Sequence, residues 1–552
     1  MGVVCGKNNH AKKTSAKQPE QEPLDQPSEV IELRTKKEFQ KAWEAQHSEV
    51  APQISTVFGL VKSLGSQDIT KVYEFEKSKE IGSGHYGIVR KARLRIEPSK
   101  IYAIKSIPKE KLKNDLTLLR NELEMLRTTD HPNIIQFYEI FQDEAKFHFV
   151  MEYCEGGDVT TKLEKEGPCS EERSKEIIFQ TLLAINHLHS TGIIHRDIKP
   201  DNFLFKTKHS NSAVKLIDFG LSKRVQHGGK LKSILGTPYY VAPEVLDKKG
   251  YDSKCDVWSA GIMLYLLLAA DFPFKGHNQE ETFKKIRREQ YSMIASEQLR
   301  NLSNEGRIFL AKLLEKDPNK RYTAREALRD PWFDQLNMDM NERGKKYLSP
   351  TILDRLRSFN SESRFCKEVI RILVMIHDDT KEVNELKDAF FYIDSLNNGV
   401  INAEEIKKAF QDIEHVTITD EEVLEIISSL QLRMKNIVTY TEFVTACIDE
   451  SFYRNHKYLQ EAFNRFDINQ DQYISYTDIS DCFTRFGVEM PREEIIQMIA
   501  EVDLNKDSKI SYEEFTKVMK ANLHVPSAQR VKRMSFESGR LNVRPEPDVP
   551  QK

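Results

Sequence analysis

Apolar residues form two kinds of pattern in the first two thirds of the chain, and each predicts a different element. Residues 102–105 and 149–153 are short apolar runs of the length typical of buried strands. Residues 121–126 have a helical pattern instead. The longest apolar run, residues 260–270, is too short to span a bilayer and therefore predicts a buried helix. This part of the chain is thus expected to mix strands and helices.

The last third of the chain repeats one pattern at nearly constant spacing. Loops that hold calcium place side-chain oxygens at positions 1, 3, 5 and 12, a backbone carbonyl at position 7 and an apolar residue at position 8. Four windows of this kind begin at residues 394, 431, 467 and 503, so the steps are 37, 36 and 36 residues. This period predicts four helix-loop-helix units arranged in two pairs.

The fourth and third windows have the best sets of oxygen ligands. Loop 503–514 departs from the pattern only at position 6, where Ser508 replaces glycine. Loop 467–478 has Gln472 at that position and ends in the shorter Asp478, which should weaken calcium relative to magnesium. The predicted ligands, two of them through backbone carbonyls, are Asp467, Asn469, Asp471, Tyr473, Asp478, Asp503, Asn505, Asp507, Lys509 and Glu514.

The first and second windows are poorer. Loop 394–405 loses one ligand to Leu396, and its predicted ligands are Asp394, Asn398 and Glu405. Loop 431–442 has Gln431, Arg433 and Lys435 where oxygens are needed, so we expect it to fold without metal and to support the first unit. A calcium-independent helical spacer is the alternative for the whole region, but it does not explain why oxygen ligands recur in register.

Length, charge and cysteine content limit the class of protein. A chain of 552 residues exceeds what one core usually supports, which predicts two to four domains. The 30% charged fraction with a net charge of only -3 argues against a nucleic-acid binder. Seven scattered cysteines without a CxxC pair indicate a reducing compartment and no structural zinc. We therefore expect a cytoplasmic protein.

The amino terminus raises the question of membrane contact. Gly2 is exposed once Met1 is removed, as N-myristoylation requires, although the motif prefers Ser or Thr where Gly6 stands. One such chain anchors only marginally, and Cys5 would offer a second site through palmitoylation. The alternative is an unmodified tail. Lipidation of Gly2 and Cys5, and with it membrane association, is the prediction.

Residues 195–202 and 218–220 carry the chemistry of phosphoryl transfer. Such transfer needs in-line positioning and cations around the developing charge. In this pattern Asp197 would accept the proton of an attacking hydroxyl, and Lys199 would steady the transferred phosphate. Asn202 and Asp218 would hold the Mg²⁺ ions that bridge the phosphates of ATP.

A glycine-rich segment and a lysine complete a predicted ATP site. Lys105 ends an apolar strand and would bind the α- and β-phosphates, with Glu122 as its preferred partner and Glu124 as the rival. The strand at 149–153 would lead to an adenine-binding hinge at Glu152 and Tyr153. Three glycines allow backbone amides to approach phosphates closely. The predicted glycine-rich segment is Ile81, Gly82, Ser83, Gly84, His85, Tyr86, Gly87, Ile88 and Val89.

This set of motifs resembles the protein kinase family, and the form of residues 197–202 is similar to its serine/threonine branch. The resemblance implies that Asp256 braces the catalytic loop and that Arg321 pairs with Glu244. It also places Ser233 where many kinases are activated by a phosphate that pairs with an arginine of the Arg196 type.

The segment between the two regions predicts a regulatory helix. Four apolar residues repeat at helical spacing in residues 352–376, and three basic residues lie near them. A basic amphipathic helix is what an opened EF-hand groove binds. These residues are Phe365, Val369, Ile372 and Ile376, with Arg364, Lys367 and Arg371. A plain linker helix is the alternative.

A kinase, such a junction and four EF-hands in one chain resemble the calcium-dependent protein kinases. The resemblance implies a multidomain protein, with an α+β bilobal kinase fold followed by an all-α domain of four EF-hands. The expected parts are an N-terminal extension (1–72), the kinase domain (73–333), an autoinhibitory junction (334–380), a calmodulin-like domain (381–520) and a tail (521–552).

The predicted function is that of a calcium-activated serine/threonine kinase that uses ATP, Mg²⁺ and Ca²⁺. Calcium would make the EF-hand domain release the junction from the active cleft. The expected partners are protein substrates with basic residues around the target Ser or Thr, and the expected state is a monomer. A calcium-responsive scaffold whose kinase fold no longer turns over is the competing class, which the intact Lys105, Asp197, Asn202 and Asp218 argue against.

Overall fold

A computed structural model of the chain describes residues 68–521. The segments left out of this range are 77–79, 84–86, 113–116, 226–228, 234–235, 248–249, 360–362, 412, 414–417, 431–435 and 487–489. The predictions at Gly2, Cys5, Gly84, His85 and Tyr86 therefore lie outside the described residues. None of the helices in the described part is long and apolar enough to cross a membrane.

The N-terminal lobe is built on an antiparallel sheet with the order β1-β3-β4-β6-β5, and β2 pairs with β3. Strands β5 and β6 are buried along nearly their whole length, and apolar side chains pack on both faces of the sheet in two separate clusters. The helix that packs in this lobe is α1 (Thr117–Thr128). The strands are β1 (Tyr73–Phe75), β2 (Gly82–Ser83), β3 (Ile88–Leu94), β4 (Glu97–Pro108), β5 (Phe137–Gln142) and β6 (Lys146–Glu152).

The C-terminal lobe is mainly helical. The apolar run at 260–270 forms most of α5, whose residues from Cys255 to Leu268 are all buried, as the sequence predicts. The helices of this lobe are α2 (Val159–Glu166), α3 (Glu171–Ser190), α4 (Pro243–Leu246), α5 (Lys254–Ala269), α6 (Gln279–Arg288), α7 (Glu297–Asn301), α8 (Asn304–Leu313) and α9 (Ala324–Leu328). Short antiparallel pairs join β7 (Ile193–Ile194) to β10 (Lys223–Arg224) and β8 (Phe203–Phe205) to β9 (Val214–Leu216).

Three helices follow the kinase lobes: α10 (Asp334–Tyr347), α11 (Pro350–Phe359) and α12 (Arg364–Ile376). Helix α10 packs along α13, and Gly344 is the point of closest approach, because a Cβ there would lie 2.4 Å from the Asp388 carbonyl oxygen. Ser363 caps α12 by accepting a hydrogen bond from the Cys366 amide.

The C-terminal region folds as helix-loop-helix units joined in two pairs by short antiparallel strands. Strand β11 (Val400–Ile401) pairs with β12 (Val438–Thr439), and β13 (Tyr473–Ile474) pairs with β14 (Ile510–Ser511). The helices are α13 (Lys381–Ile393), α14 (Ala403–Gln411), α15 (Asp420–Leu430), α16 (Tyr440–Cys447), α17 (Glu450–Tyr453), α18 (His456–Phe466), α19 (Tyr476–Arg485), α20 (Arg492–Val502) and α21 (Tyr512–Ala521). We call these the first and second EF-hand pairs.

The first EF-hand pair sits against the C-terminal lobe. Backbone carbonyls of loop 394–405 accept hydrogen bonds from α3: His187 Nδ1 and Ser190 Oγ both donate to the Asn398 carbonyl, at 3.0 and 3.2 Å. At the start of α16, the Thr441 amide donates to Asp130 at 2.9 Å. The first pair is therefore bound to the kinase through polar contacts on two of its elements.

The second EF-hand pair contacts the N-terminal lobe. The buried Arg465 of α18 donates to Glu139 Oε1 at 3.0 Å and also bonds to the Tyr102 hydroxyl. The guanidinium of Arg485 lies 4.9 Å from the ring centre of Phe141. Together the two pairs bind both kinase lobes.

Candidate active site and calcium loops

One buried carboxylate fixes the catalytic loop, residues 195–202. Asp256 in α5 accepts hydrogen bonds from the amides of His195 and Arg196 at 2.9 and 2.8 Å, and from His189 Nε2 at 2.9 Å. These bonds hold Arg196 at a φ of 69°, a left-handed conformation that is uncommon for a residue other than glycine. The next residue, Asp197, is thereby presented to the cleft.

The carboxylate of Asp197 is bonded by three side chains. Lys199 Nζ lies 2.8 Å from Oδ2, Asn202 Nδ2 donates to Oδ2 at 3.0 Å, and Thr237 Oγ1 donates to Oδ1 at 2.8 Å. Burial would raise the pKa of Asp197, but the bonds from Lys199 and Thr237 and the Lys199 charge outweigh it and lower the pKa. Asp197 is therefore ionised at neutral pH and able to accept a proton.

Thr237 is a residue of this site that the motifs did not single out. Its hydroxyl accepts a hydrogen bond from Lys199 Nζ at 3.0 Å and donates one to Asp197, so it links the two. The available signal was a Gly-Thr dipeptide between the Asp-Phe-Gly and Ala-Pro-Glu motifs. Gly236 has a φ of 112°, and a Cβ there would lie 2.8 Å from the Arg196 carbonyl oxygen, so glycine lets this segment approach the catalytic loop.

Lys105 and Glu122 form a buried ion pair between β4 and α1. The rival partner, Glu124, faces Arg224 instead, at 3.4 Å. A lysine held by a carboxylate in this way presents its ammonium to phosphates in one fixed orientation. The structure thus brings Lys105 together with the preferred of the two glutamates.

The glycine-rich segment enters the sheet through pairing of Gly82 with Val89 and of Ser83 with Ile88. Ile81 is exposed, while Gly87 is buried against β4, where a Cβ would lie 2.6 Å from the Ser106 carbonyl oxygen. A side chain at residue 87 would therefore push the glycine-rich segment away from β4.

The two residues predicted at the hinge use their side chains differently. Glu152 ends β6, and its carboxylate binds Lys215 Nζ at 2.6 Å. The Tyr153 ring lies under Lys91 Nζ, which is 4.6 Å from the ring centre. The carboxylate of Glu152 is therefore paired, and its backbone amide donates a hydrogen bond to the Gln136 carbonyl at 2.9 Å.

The residues predicted to hold magnesium carry suitable donors. Asn202 lies in the 3₁₀ turn Pro200–Asn202, and Asp218 accepts a hydrogen bond from the Gly220 amide at 2.9 Å through one oxygen. Carboxylate and carbonyl oxygens are the ligands that Mg²⁺ prefers. The residues present therefore fit the ion that phosphoryl transfer requires.

The activation segment contains the predicted regulatory serine. Ser233 is exposed, and its hydroxyl accepts a hydrogen bond from Arg196 Nη1 at 3.2 Å. A phosphate on Ser233 would thus meet the Arg196 guanidinium, which is already in place.

Further along the chain, Arg321 forms a bidentate pair with Glu244, at 2.6 and 2.9 Å.

The last carboxylate of two calcium loops reaches both ends of its loop. Glu514 accepts from the amides of Leu504 at 3.0 Å and Ser511 at 2.9 Å, so its two oxygens join the beginning and end of loop 503–514. Glu405 does the same in loop 394–405, through the amides of Leu396 and Asn402, both at 3.1 Å. Each carboxylate can therefore close its loop around an ion.

Loop 467–478 ends in a carboxylate that stays at its own end. Asp478 accepts from the Ser475 amide at 2.9 Å and caps α19. At the start of the loop, Asp467 accepts from the amides of Asp471 and Gln472 at 3.1 and 2.9 Å. Residues 431–435 of the second window lie outside the described part, but Thr439 and Glu442 form a capping box at the start of α16.

Helix α12 lies between the two EF-hand pairs. The Phe365 ring packs against Phe466 and Phe515 of the second pair, and Lys367 Nζ donates to the Ser429 carbonyl of the first pair at 3.2 Å. The periodicity predicts one apolar face, yet every residue from Phe365 to Ile376 is buried. Lys367, Glu368 and Arg371 are buried too, because the helix is enclosed on both sides, whereas Arg364 at its start is exposed.

Comparison with known proteins agrees with this arrangement. The protein kinase domain family matches residues 75–333, and the EF-hand domain pair matches residues 383–448 and 457–520. "Calcium-dependent protein kinase 5" of Plasmodium falciparum (isolate 3D7) is 31% identical over 458 residues, which cover 83% of this chain and 79% of that protein. The chain belongs to the calcium-dependent protein kinases.

A plant member gives a similar match. "Calcium-dependent protein kinase 8" of Arabidopsis thaliana is 32% identical over 475 residues, 85% of this chain and 87% of that protein. This calcium-dependent kinase thus has the predicted fold, a bilobal kinase domain followed by a helical EF-hand region. It is a calcium-regulated serine/threonine protein kinase, whose kinase domain uses ATP with Mg²⁺ and whose EF-hands bind Ca²⁺.

Proposed function

We propose that Asp197 is the catalytic base of this kinase. The observation that carries the proposal is the ionised carboxylate of Asp197, bonded to Lys199, Thr237 and Asn202. Asp197 accepts the proton of the substrate hydroxyl, and Lys199 neutralises charge on the phosphate in transfer. Lys105, oriented by Glu122, binds the phosphates of ATP. Asn202 and Asp218 hold Mg²⁺, which supplies the charge neutralisation that the reaction needs.

The second part of the proposal is that the junction controls access to this cleft. Helix α12 contacts both EF-hand pairs, so its position depends on the shape of both. At low calcium the junction binds the kinase and inhibits it; calcium makes the EF-hand pairs hold α12 instead. Shifting such an equilibrium from 1:99 to 99:1 takes about 5.5 kcal/mol of differential binding, or about 20-fold from each of three loops.

Calcium binding is assigned by loop. Loop 503–514 is the principal site, because Glu514 reaches both of its ends. Loops 467–478 and 394–405 are weaker, the first because Asp478 is short and the second because Leu396 removes a ligand. Loop 431–442 supports its partner without metal. Activation should then occur in the sensor range of about 10⁻⁷ to 10⁻⁵ M calcium.

Three further proposals concern regulation and partners. Phosphorylation of Ser233 orders the activation segment through the adjacent Arg196. Acylation of Gly2 and Cys5 brings a cytoplasmic monomer to membranes. The substrates are proteins with basic residues around the target Ser or Thr.

Transfer of phosphate from ATP to a basic peptide, with and without a calcium chelator, tests catalysis and its control together. We expect fast transfer in micromolar free calcium and little in EGTA. The Asp197→Asn protein should be inactive in both, because it lacks the base, yet should still bind calcium. Activity of Asp197→Asn near that of the unaltered protein would contradict the assignment of the base.

A further inference from the structure

Four charged side chains meet behind the hinge, and one of them belongs to the junction. Lys215 Nζ lies 2.6 Å from Glu152 Oε2, and Lys206 Nζ lies 2.6 Å from Asp378 Oδ2. Cross contacts join the two pairs: Lys206 to Glu152 at 3.6 Å and Lys215 to Asp378 at 4.0 Å. We call Glu152, Lys206, Lys215 and Asp378 the hinge ion cluster.

The cluster adjoins the parts of the site that bind nucleotide and metal. Glu152 is the last residue of the hinge strand β6. Lys206 follows β8, which begins directly after Asn202, and Lys215 lies in β9, which ends two residues before Asp218. The β8–β9 hairpin thus carries both proposed magnesium ligands, and the cluster ties this hairpin to the hinge.

The kinase domain alone leaves this cluster with an excess positive charge. It supplies two lysines against the single carboxylate of Glu152, and the side chains of Glu152 and Lys215 are only 5% and 6% exposed. An uncompensated charge in such a place is costly, because little water reaches it. Asp378 brings the second negative charge, and although burial opposes its ionised form, Lys206, Lys215 and Lys100 lower its pKa to about 2. The partly buried Lys387 of α13 also faces this cluster, and burial together with the charges of Lys206 and Lys215 lowers the pKa of Lys387 to about 8.

The position of Asp378 is set by α12. It stands two residues beyond Ile376, the last residue of that helix, and the Ile376 carbonyl itself accepts a hydrogen bond from Lys100 of β4. Met375 also packs in the apolar cluster of the N-terminal lobe that contains Tyr73 and Tyr102. When the EF-hand pairs hold α12, Asp378 is therefore placed next to Lys206 and Lys215.

We propose that Asp378 is a positioning residue for nucleotide binding: held by the captured junction, its carboxylate completes the hinge ion cluster and fixes the β8–β9 hairpin against the hinge. The inference rests on the proposed function, because calcium must first place the junction here. It goes beyond release of inhibition, since the junction in its captured position contributes directly to the ATP site.

The first experiment compares Asp378→Asn with Asp379→Asn in the full-length protein at saturating calcium. Asp379 is the exposed neighbour of Asp378 and serves as the matched control, because its charge acts on Lys206 only as the smallest of the named contributions and through solvent. We expect the KM for ATP to rise about 5-fold or more in Asp378→Asn, the lower end of the usual coupling between sites, with a smaller change in kcat. Asp379→Asn should stay within about twofold of the unaltered protein. Equal KM values for the two variants would overturn the proposal.

A double-mutant cycle separates positioning from general stability. Lys206→Met removes the excess charge, so the double variant Asp378→Asn/Lys206→Met should bind a fluorescent ATP analogue more tightly than Asp378→Asn alone. This coupling should appear in calcium and vanish in EGTA. If Asp378→Asn fails to fold, Asp378→Glu, which keeps the charge, should retain a KM near that of the unaltered protein.

The outcomes distinguish the two proposals. Coupling that is absent in calcium, or equally large in EGTA, overturns the role of Asp378 while leaving calcium activation intact. An unaltered protein whose peptide phosphorylation ignores calcium overturns the proposed function and this inference together.

Discussion

The loops at 394–405 and 503–514 have the same helix-loop-helix form but opposite surroundings. Asp394 is buried, and burial outweighs its hydrogen bonds and raises its pKa to about 7. In the other loop, residues 504–509 are exposed, and hydrogen bonds from Ser511 and the loop amides outweigh burial and lower the pKa of Glu514. One loop is a contact surface for the kinase, whereas the other is open to ions from solvent.

The difference teaches that a calcium-loop motif describes local form and not use. In the first loop the outward carbonyls of residues 396–398 accept hydrogen bonds from α3 of the kinase. The loop can tolerate the loss of an oxygen ligand at Leu396, because its hydrogen bonds to α3 also stabilise it. The fourth loop pairs with the third loop and leaves residues 504–509 exposed, and its set of predicted calcium ligands is nearly complete.

The largest effect is expected from the open loop. Glu514→Gln replaces the carboxylate that joins both loop ends with a neutral amide, which removes the negative charge and one ligand oxygen. With three or two loops sharing the shift equally, each supplies about 20-fold or 100-fold of differential binding, and the calcium concentration needed for half-maximal activity should rise by a factor of that order. Gln431→Ala, in the window without suitable ligands, should leave the curve in place. Calcium titrations of peptide phosphorylation measure both, and an equal response would refute the ranking of the loops.

A smaller effect, on the free energy of unfolding, is expected from substitutions at position 6 of these two loops. Gly399 has a φ of 72° and lies so close to α3 that a Cβ would be 2.5 Å from His187 Nδ1, whereas Ser508 has a similar φ of 66° in an exposed loop. Gly399→Ala should lower the free energy of unfolding by about 2 kcal/mol, through left-handed strain and the clash. Ser508→Ala should change it by less than about 0.5 kcal/mol. Urea unfolding in calcium measures both; equal losses would show that the surroundings of the first loop do not matter.

The smallest effect concerns the third loop, which lies between the two extremes. Asp478→Glu lengthens the carboxylate so that it can reach the start of its loop, as Glu514 does, and should strengthen calcium binding there by about tenfold relative to magnesium. The reverse change, Glu514→Asp, should weaken loop 503–514. Calorimetric titration with each ion measures the shift, and unchanged selectivity in Asp478→Glu would contradict the importance of reach.

Sequence patterns predicted the catalytic loop and the paired EF-hands because those features depend on residues near one another in the chain. Asp197, Lys199 and Asn202 lie within six positions, and the strand pairs follow from a regular period. Contacts such as Lys206 with Asp378 or Asn186 with loop 394–405 join residues 172 or more positions apart. No local pattern encodes them, so the docking of the EF-hand pairs on the kinase was not predicted.

The helical periodicity of residues 364–376 shows the same limit. It predicted the helix and its apolar residues, with basic residues near the apolar face, but it did not predict that Lys367 and Arg371 are buried. Enclosure by two EF-hand pairs gives the polar side of α12 partners as well: the Ser429 carbonyl for Lys367, and Glu368 at 2.7 Å for Arg371. A pattern of apolar spacing cannot show that a second surface will cover the polar side.

Amide hydrogen exchange of α12, measured in calcium and in EGTA, tests most directly whether calcium moves the junction. In calcium the amides of residues 364–376 should be strongly protected between the two EF-hand pairs, while the cleft around Asp197 exchanges freely. In EGTA the EF-hand pairs should protect α12 less, and the junction bound to the kinase should protect the cleft more. Identical exchange in both segments under the two conditions would contradict calcium control through the junction.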